Sequence, residues 1–140
     1  MSKYTNGQEA APSSVVEPAT GMIKTLLHHY QVGQLDVAEQ LACALCQQFP
    51  ENPFGWKALG TIRQQLGRFK EALEPMLVAV RILPSDAETH CNLGVVLKNL
   101  GRFSEAAAHY RDAILLDSNH VGAYNNLGNL LREHKKYPEA

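Results

Sequence analysis

The 140-residue sequence carries almost no net charge, with 13 Lys and Arg against 14 Asp and Glu. Such a balance offers no broad field for a polyanion or an acidic membrane, so neither nucleic acid nor membrane is an expected partner. Cysteine is scarce. Its three residues form an odd set without the spacing of a disulfide framework, which points to a reducing compartment. The N-terminus lacks the apolar core of a signal peptide, and no apolar run approaches the length of a membrane span. The expected location is therefore cytoplasmic. Also missing are a glycine-rich phosphate loop, a nucleophile elbow and paired carboxylates in a strand context. These residues are accordingly expected to form no enzyme and to bind no cofactor.

What the sequence does have is a period. Leu59-Gly60 falls on Leu93-Gly94, and Gly67-Arg68-Phe69 on Gly101-Arg102-Phe103, at an offset of 34 residues. The same step carries Leu93-Gly94 onto Leu127-Gly128, Ala72 onto Ala106, and Ala79 onto Ala113. Backwards it takes Gly67 to Gly33, Ala72 to Ala38 and Pro84 to Pro50. The units are residues 19–52, 53–86, 87–120 and 121–140, and the last stops after 20 positions. Residues 1–18 lack sustained periodicity and contain Gly7, Pro12, Ser13, Ser14 and Pro18, so they are expected to be a flexible leader.

Within each unit, apolar and small residues recur at three- and four-residue steps, as in Trp56, Leu59 and Gly60 and then Ala72, Met76, Ala79 and Val80. This spacing predicts two helices that each bury one stripe. Gly60, Gly94 and Gly128 sacrifice helix propensity, which close contact between paired helices would explain. Gly33, Gly67 and Gly101 fall where a helix ends and a positive φ is useful; Lys135 holds that place in the last unit. Asn52-Pro53 reads as an N-cap followed by proline at the first helical position, with Asp86 in the same cap position one repeat later. Asp36 and Glu39 have capping-box spacing for the first unit's second helix. Pro75 lies inside a second helix and cannot donate to the Glu71 carbonyl, so a local kink is expected there. The alternative reading puts Pro75 on an exposed face. Tyr137-Pro138-Glu139-Ala140 reads as the opening of a further second helix.

The pattern resembles the tetratricopeptide repeat family, whose motif residues appear in the second unit as Trp56, Leu59, Gly60, Gly67, Ala72, Ala79 and Pro84. Met76, His90 and Ser118 depart from it, and the first unit is the most degenerate, as terminal repeats usually are. The resemblance implies an all-α fold, a right-handed superhelical solenoid of antiparallel helix pairs with three full repeats and a truncated fourth. It also implies that the first helices line a concave groove. Lys57, Thr61, Gln64 and Gln65 would stand there beside Cys91, Asn92, Val95, Lys98 and Asn99, followed by Asn125, Asn126, Asn129, Arg132 and Glu133.

This is an amide-rich set. Each Asn or Gln offers both a donor and an acceptor, and can pair with an extended peptide backbone with little regard to its side chains. The candidate peptide-binding residues are thus Lys57, Thr61, Gln64, Asn92, Val95, Lys98, Asn99, Asn125, Asn126, Asn129 and Arg132, with the three cations drawing acidic side chains. Asn92 and Asn126 resemble the asparagine ladder in the tetratricopeptide superhelix of O-linked N-acetylglucosamine transferase. The ladder is partial, since Lys24 and Ala58 replace asparagine in the earlier units. A plainer reading leaves these asparagines solvated or bonded to a neighbouring repeat's backbone. The clamp that holds chaperone-tail carboxylates in some family members is matched only by Lys57 and Asn92, with Thr61, Gly122 and Asn126 departing from it, and is disfavoured.

Cys43 and Cys46 have metal-site spacing, but they lie inside a predicted helix, and repeat phase assigns Cys46 to the core and Cys43 to its flank. Cys91 has groove phase. The six histidines form no spaced ligand set, and core packing is the expectation for His29 and His90; no metal is expected. The sequence therefore indicates a scaffold binding a protein or extended peptide. One alternative is the N-terminal recognition module of a larger glycosyl- or sulfotransferase-like enzyme. Another is self-association through the truncated C-terminal end, where Leu127, Leu130 and Leu131 are expected to be partly uncovered.

Overall fold

The computed structural model describes residues 11–136, with side-chain environments from 19 to 133. Seven helices follow one another among the described residues: α1 (Ala11–Gln31), α2 (Leu35–Gln48), α3 (Pro53–Gln65), α4 (Phe69–Ile82), α5 (Ala87–Asn99), α6 (Phe103–Leu116) and α7 (Val121–Lys136). Each unit packs its two helices against one another, and each second helix packs on the first helix of the next unit. The first helices α3, α5 and α7 also touch in succession, which makes their shared face one wall of the stack. Strands are absent among the described residues, and no described helix is long and apolar enough to cross a membrane.

The 34-residue grammar is visible in the local structure. Gly33, Gly67 and Gly101 take φ values of 82°, 77° and 81°, reversing the chain between paired helices. At Lys135 there is no such residue, and α7 continues through Lys136. The Asn52 side chain accepts from the Phe54 amide at 2.9 Å, with Pro53 opening α3. Asp86 likewise accepts from the Thr89 amide at 3.1 Å at the head of α5. Close approach occurs at Gly60 and Gly94 but not at Gly128, where an added Cβ would meet only an Arg132 nitrogen at 4.0 Å, since no described second helix packs on α7 within its own unit. A Cβ on Gly60 would lie 2.7 Å from Met76, and one on Gly94 would lie 2.6 Å from the Tyr110 ring.

The core forms two clusters. One joins α1, α2 and α3 through Leu26, Ala42, Leu45 and Ile62. The other runs from Met76 through Leu93, Leu97 and Tyr110 to Leu130.

Several expectations are corrected. Residues 1–10 lie outside the described region, but the remainder of the expected leader is helical, because α1 starts at Ala11. Pro12 falls in its first turn, where the missing N–H has no intrahelical partner to lose. The spacing of Asp36 and Glu39 does not make a capping box: α2 begins one residue before Asp36, with Gln34 as an N-cap lacking a side-chain bond. Glu39 instead accepts from Arg63 Nε at 2.8 Å and from Arg68 Nη2 at 2.5 Å.

Pro75 is buried rather than on an exposed face, and α4 runs through it. The carbonyl of Glu71, deprived of an amide by the proline, accepts from Arg63 Nη1 at 3.0 Å. Of the three leucines expected to be partly uncovered, Leu127 is half-buried and Leu131 exposed, in line with that expectation, whereas Leu130 is buried by its packing on the preceding unit. The expected helix opening at Tyr137–Ala140 lies outside the described residues.

Candidate peptide-binding groove

The faces of α1, α3 and α5 line an open groove of about 500 Å³. Its floor is apolar, with Leu26, Tyr30 and Phe54, and its polar wall contains four of the sequence-predicted residues, Lys57, Thr61, Gln64 and Asn92. Gln65 lines it too, donating from Nε2 to the Tyr30 hydroxyl at 2.5 Å. Gln64 Oε1 is buried and accepts no hydrogen bond. An unpaired buried carbonyl oxygen is costly, so this atom favours any occupant that brings a donor into the groove.

Lys57 and most of the predicted residues outside this cavity already have partners within the chain. Lys57 Nζ lies 3.1 Å from Asp86 Oδ2 and 3.6 Å from Glu88. Burial pushes the Asp86 carboxyl up, but bonds from Thr89 and Lys57 outweigh this and hold it below its ordinary value. Lys98 faces Glu133 at 3.7 Å, and Arg132 donates to Asn129 Oδ1. Asn99 Nδ2 donates to the Val95 carbonyl of its own helix at 2.8 Å. Val95 itself is half-buried and packs on the core, while Asn125 is exposed.

Cys91 does not line the groove as its phase suggested. It is 5% exposed, because α5 and α7 close over it, and Asn126 Nδ2 donates to its sulfur at 3.6 Å. Burial raises the thiol pKa. Cys46 is likewise buried, which pushes its thiol up to about 12, and Cys43 meets Arg63 Nη2 at 3.6 Å.

Sequence reasoning passed over one cluster. His90, His109 and Asp112 bring a ligand-type atom each within 4.8 Å of one another. His109 and Asp112 stand three apart on one helix face, a signal legible in sequence. His90 is 19 residues away and joins them only when the hairpin forms.

The class that fold and groove define is an all-α solenoid of stacked helix hairpins with a partly polar concave face. Tetratricopeptide repeat models match residues 87–120 and 109–140. Those residues are tetratricopeptide repeats, and the units before them share the same period and fold. No curated protein matches the sequence.

Among solved structures, the first tetratricopeptide domain of Spaghetti (RPAP3), bound to an HSP90 peptide, is similar at a TM-score of 0.79. It shares 20% identity, over 82% of this chain and 91% of that one. The type III secretion chaperone SycD of Yersinia enterocolitica, in complex with a peptide of the translocator YopD, is similar at 0.77 with 18% identity, over 87% and 95%. The O-GlcNAc transferase of Thermobaculum terrenum is similar at 0.78 with 21% identity, but over 84% of this chain and only 22% of that protein.

Proposed function

We propose that this chain is a non-catalytic scaffold that holds an extended peptide segment of a partner protein in the groove of α1, α3 and α5. The observation that carries the reading is the buried, unpaired Gln64 Oε1 in the wall of that cavity, beside Asn92. A peptide amide donates to Gln64, and Asn92 supplies the complementary donor and acceptor. The complexes of Spaghetti and SycD with peptides support this use of the fold. Lys57 in the groove is already paired with Asp86 and Glu88, so backbone contacts rather than charge dominate. Three free thiols fit a reducing cytoplasm.

Affinity capture on the chain, followed by titration calorimetry of the recovered segment against wild type and a Gln64→Ala/Asn92→Ala variant, tests the reading. Weakened binding by a variant with an unchanged melt supports it; full affinity refutes it. A second mode of partnership is association through α7, where Val121, Tyr124 and Leu131 are 68%, 49% and 46% exposed. Sedimentation at several concentrations tests that separately.

A further inference from the structure

We propose that His90, His109 and Asp112 form a site for a divalent transition ion of the zinc class, stapling α5 to α6 at the edge of the third unit. The repeat itself isolates these residues. One period earlier the three places hold Trp56, Pro75 and Val78, and two periods earlier Met22, Leu41 and Ala44. Only the third unit replaces an apolar triple by two imidazoles and a carboxylate. Such an exchange sacrifices packing and brings polar groups into a partly dry contact, a loss that a bound ion would offset.

The geometry suits a ligand set. Trp56 Nε1 donates to the Pro50 carbonyl at 2.8 Å, and His90 Nε2 makes the equivalent contact with the Pro84 carbonyl at the same distance. That carbonyl can only accept, so His90 carries its proton on Nε2 and presents the Nδ1 lone pair. A carbonyl on the far ring nitrogen is the usual outer partner of a metal-bound histidine. His109 Nδ1 lies 3.1 Å from His90 Nδ1, with the ring centroids 5.3 Å apart and the ring planes 27° from parallel. Two nitrogens bound tetrahedrally to zinc stand about 3.3 Å apart.

Asp112 Oδ2 is 3.9 Å from His90 Nδ1, and its side chain is half exposed, so it can close on an ion arriving from solvent. Without an ion, His109 donates its Nδ1 proton to His90. On loading, that proton passes by way of solvent to His109 Nε2, the ring turns, and both Nδ1 lone pairs face the ion, with water completing the shell. Two nitrogens and one oxygen suit zinc, cobalt, nickel or copper rather than calcium or magnesium, which take oxygen shells.

The test is zinc chloride titrated into the untagged full chain, by calorimetry and by thermal melts. One equivalent should bind and raise the midpoint by about 5–10 °C at a hundredfold excess over the dissociation constant. His109→Leu and, separately, Asp112→Val borrow residue types from the earlier units' equivalent places and should fold. Each should weaken binding at least about tenfold, the scale of losing one ligand contact, and shrink the shift. Asp112→Val is the safer of the two for folding. Cobalt should give a d–d spectrum without a thiolate charge-transfer band. Absence of saturable binding, undiminished affinity in both variants, or a thiolate band pointing to Cys43 and Cys46 would each overturn the site.

Discussion

Equivalent glycines of the repeat make different demands on their surroundings. A Cβ at Gly94 would press to 2.6 Å on the ring of Tyr110, which is 1% exposed and has nowhere to move. Alanine there should cost about 1–3 kcal/mol. At Gly60 the obstacle is the flexible side chain of Met76, which can yield, so the same change should cost less. At Gly128 the nearest atom is an Arg132 guanidinium nitrogen at 4.0 Å. Alanine should therefore stabilise α7 by about 0.5–1 kcal/mol, the ordinary gain over glycine inside a helix. Denaturant midpoints should rank Gly94→Ala lowest, Gly60→Ala between it and wild type, and Gly128→Ala above wild type. A destabilised Gly128→Ala would show that this position is tightly packed. The period marked all three glycines as contact positions, and the structure makes Gly60 and Gly94 such positions but not Gly128. The period could not tell Tyr110 from Met76 as an obstacle, since that depends on whether the facing side chain can bend.

Helices expose what a linear reading omits, because a backbone group lost in one element can be satisfied from another. The lost bond at Pro75 was legible in the sequence. Its replacement was not, since Arg63 lies on the preceding helix and reaches the Glu71 carbonyl only after α3 and α4 pack. Glu39 was misread as a capping residue for the same reason: its partners Arg63 and Arg68 lie in the next unit. Removing Arg63 by Arg63→Met should cost about 1–3 kcal/mol, in part by stranding that carbonyl. In a Pro75→Ala background the restored amide can take the carbonyl back, so the same change should cost less. A double-mutant cycle by urea unfolding measures the coupling, and strict additivity would show that Arg63 acts through Glu39 alone. Glu39 adds a pH dependence. The Arg63 bond, against opposing burial, lowers its pKa from the ordinary 4.5. Its stabilising contribution is therefore complete well above that value and disappears as pH falls through the lower folded value. The melting difference between wild type and Glu39→Gln should persist at neutral pH and close on acidification. A difference unchanged down to acid denaturation would exclude the Arg63 pairing as its source.

The whole stack decides which amides are free to bind, and here the two rungs of the asparagine ladder part company. Repeat phase put Asn92 and Asn126 in equivalent places, and both are half-buried. Asn92 lines the cavity between α1, α3 and α5, whereas Asn126 spends a donor on the Cys91 sulfur of the preceding unit. Phase could not foresee this, because it depends on what the neighbouring first helix presents. Gln64 gained weight for the converse reason, as it lines the cavity while its oxygen is buried without a donor. If the groove grips a peptide backbone, Gln64→Ala with Asn92→Ala should weaken binding by about 1–3 kcal/mol, the scale of two net hydrogen bonds. The melt should hold or rise slightly, since Gln64→Ala removes an unsatisfied acceptor. Asn126→Ala should leave affinity nearly intact and act on stability through Cys91. Unequal ladder rungs would separate this groove from one in which every position-equivalent asparagine binds alike. Lys57→Met provides the electrostatic control. Because Lys57 already pairs with Asp86 and Glu88, its removal exposes two carboxylates and should penalise acidic peptides, with an effect that shrinks as salt rises. The penalty of the Gln64 and Asn92 changes should instead be nearly independent of salt and of peptide sequence. Calorimetry at two salt concentrations, with one acidic and one neutral segment, distinguishes the two. A Gln64/Asn92 effect confined to one segment would mean that the groove reads side chains rather than the backbone.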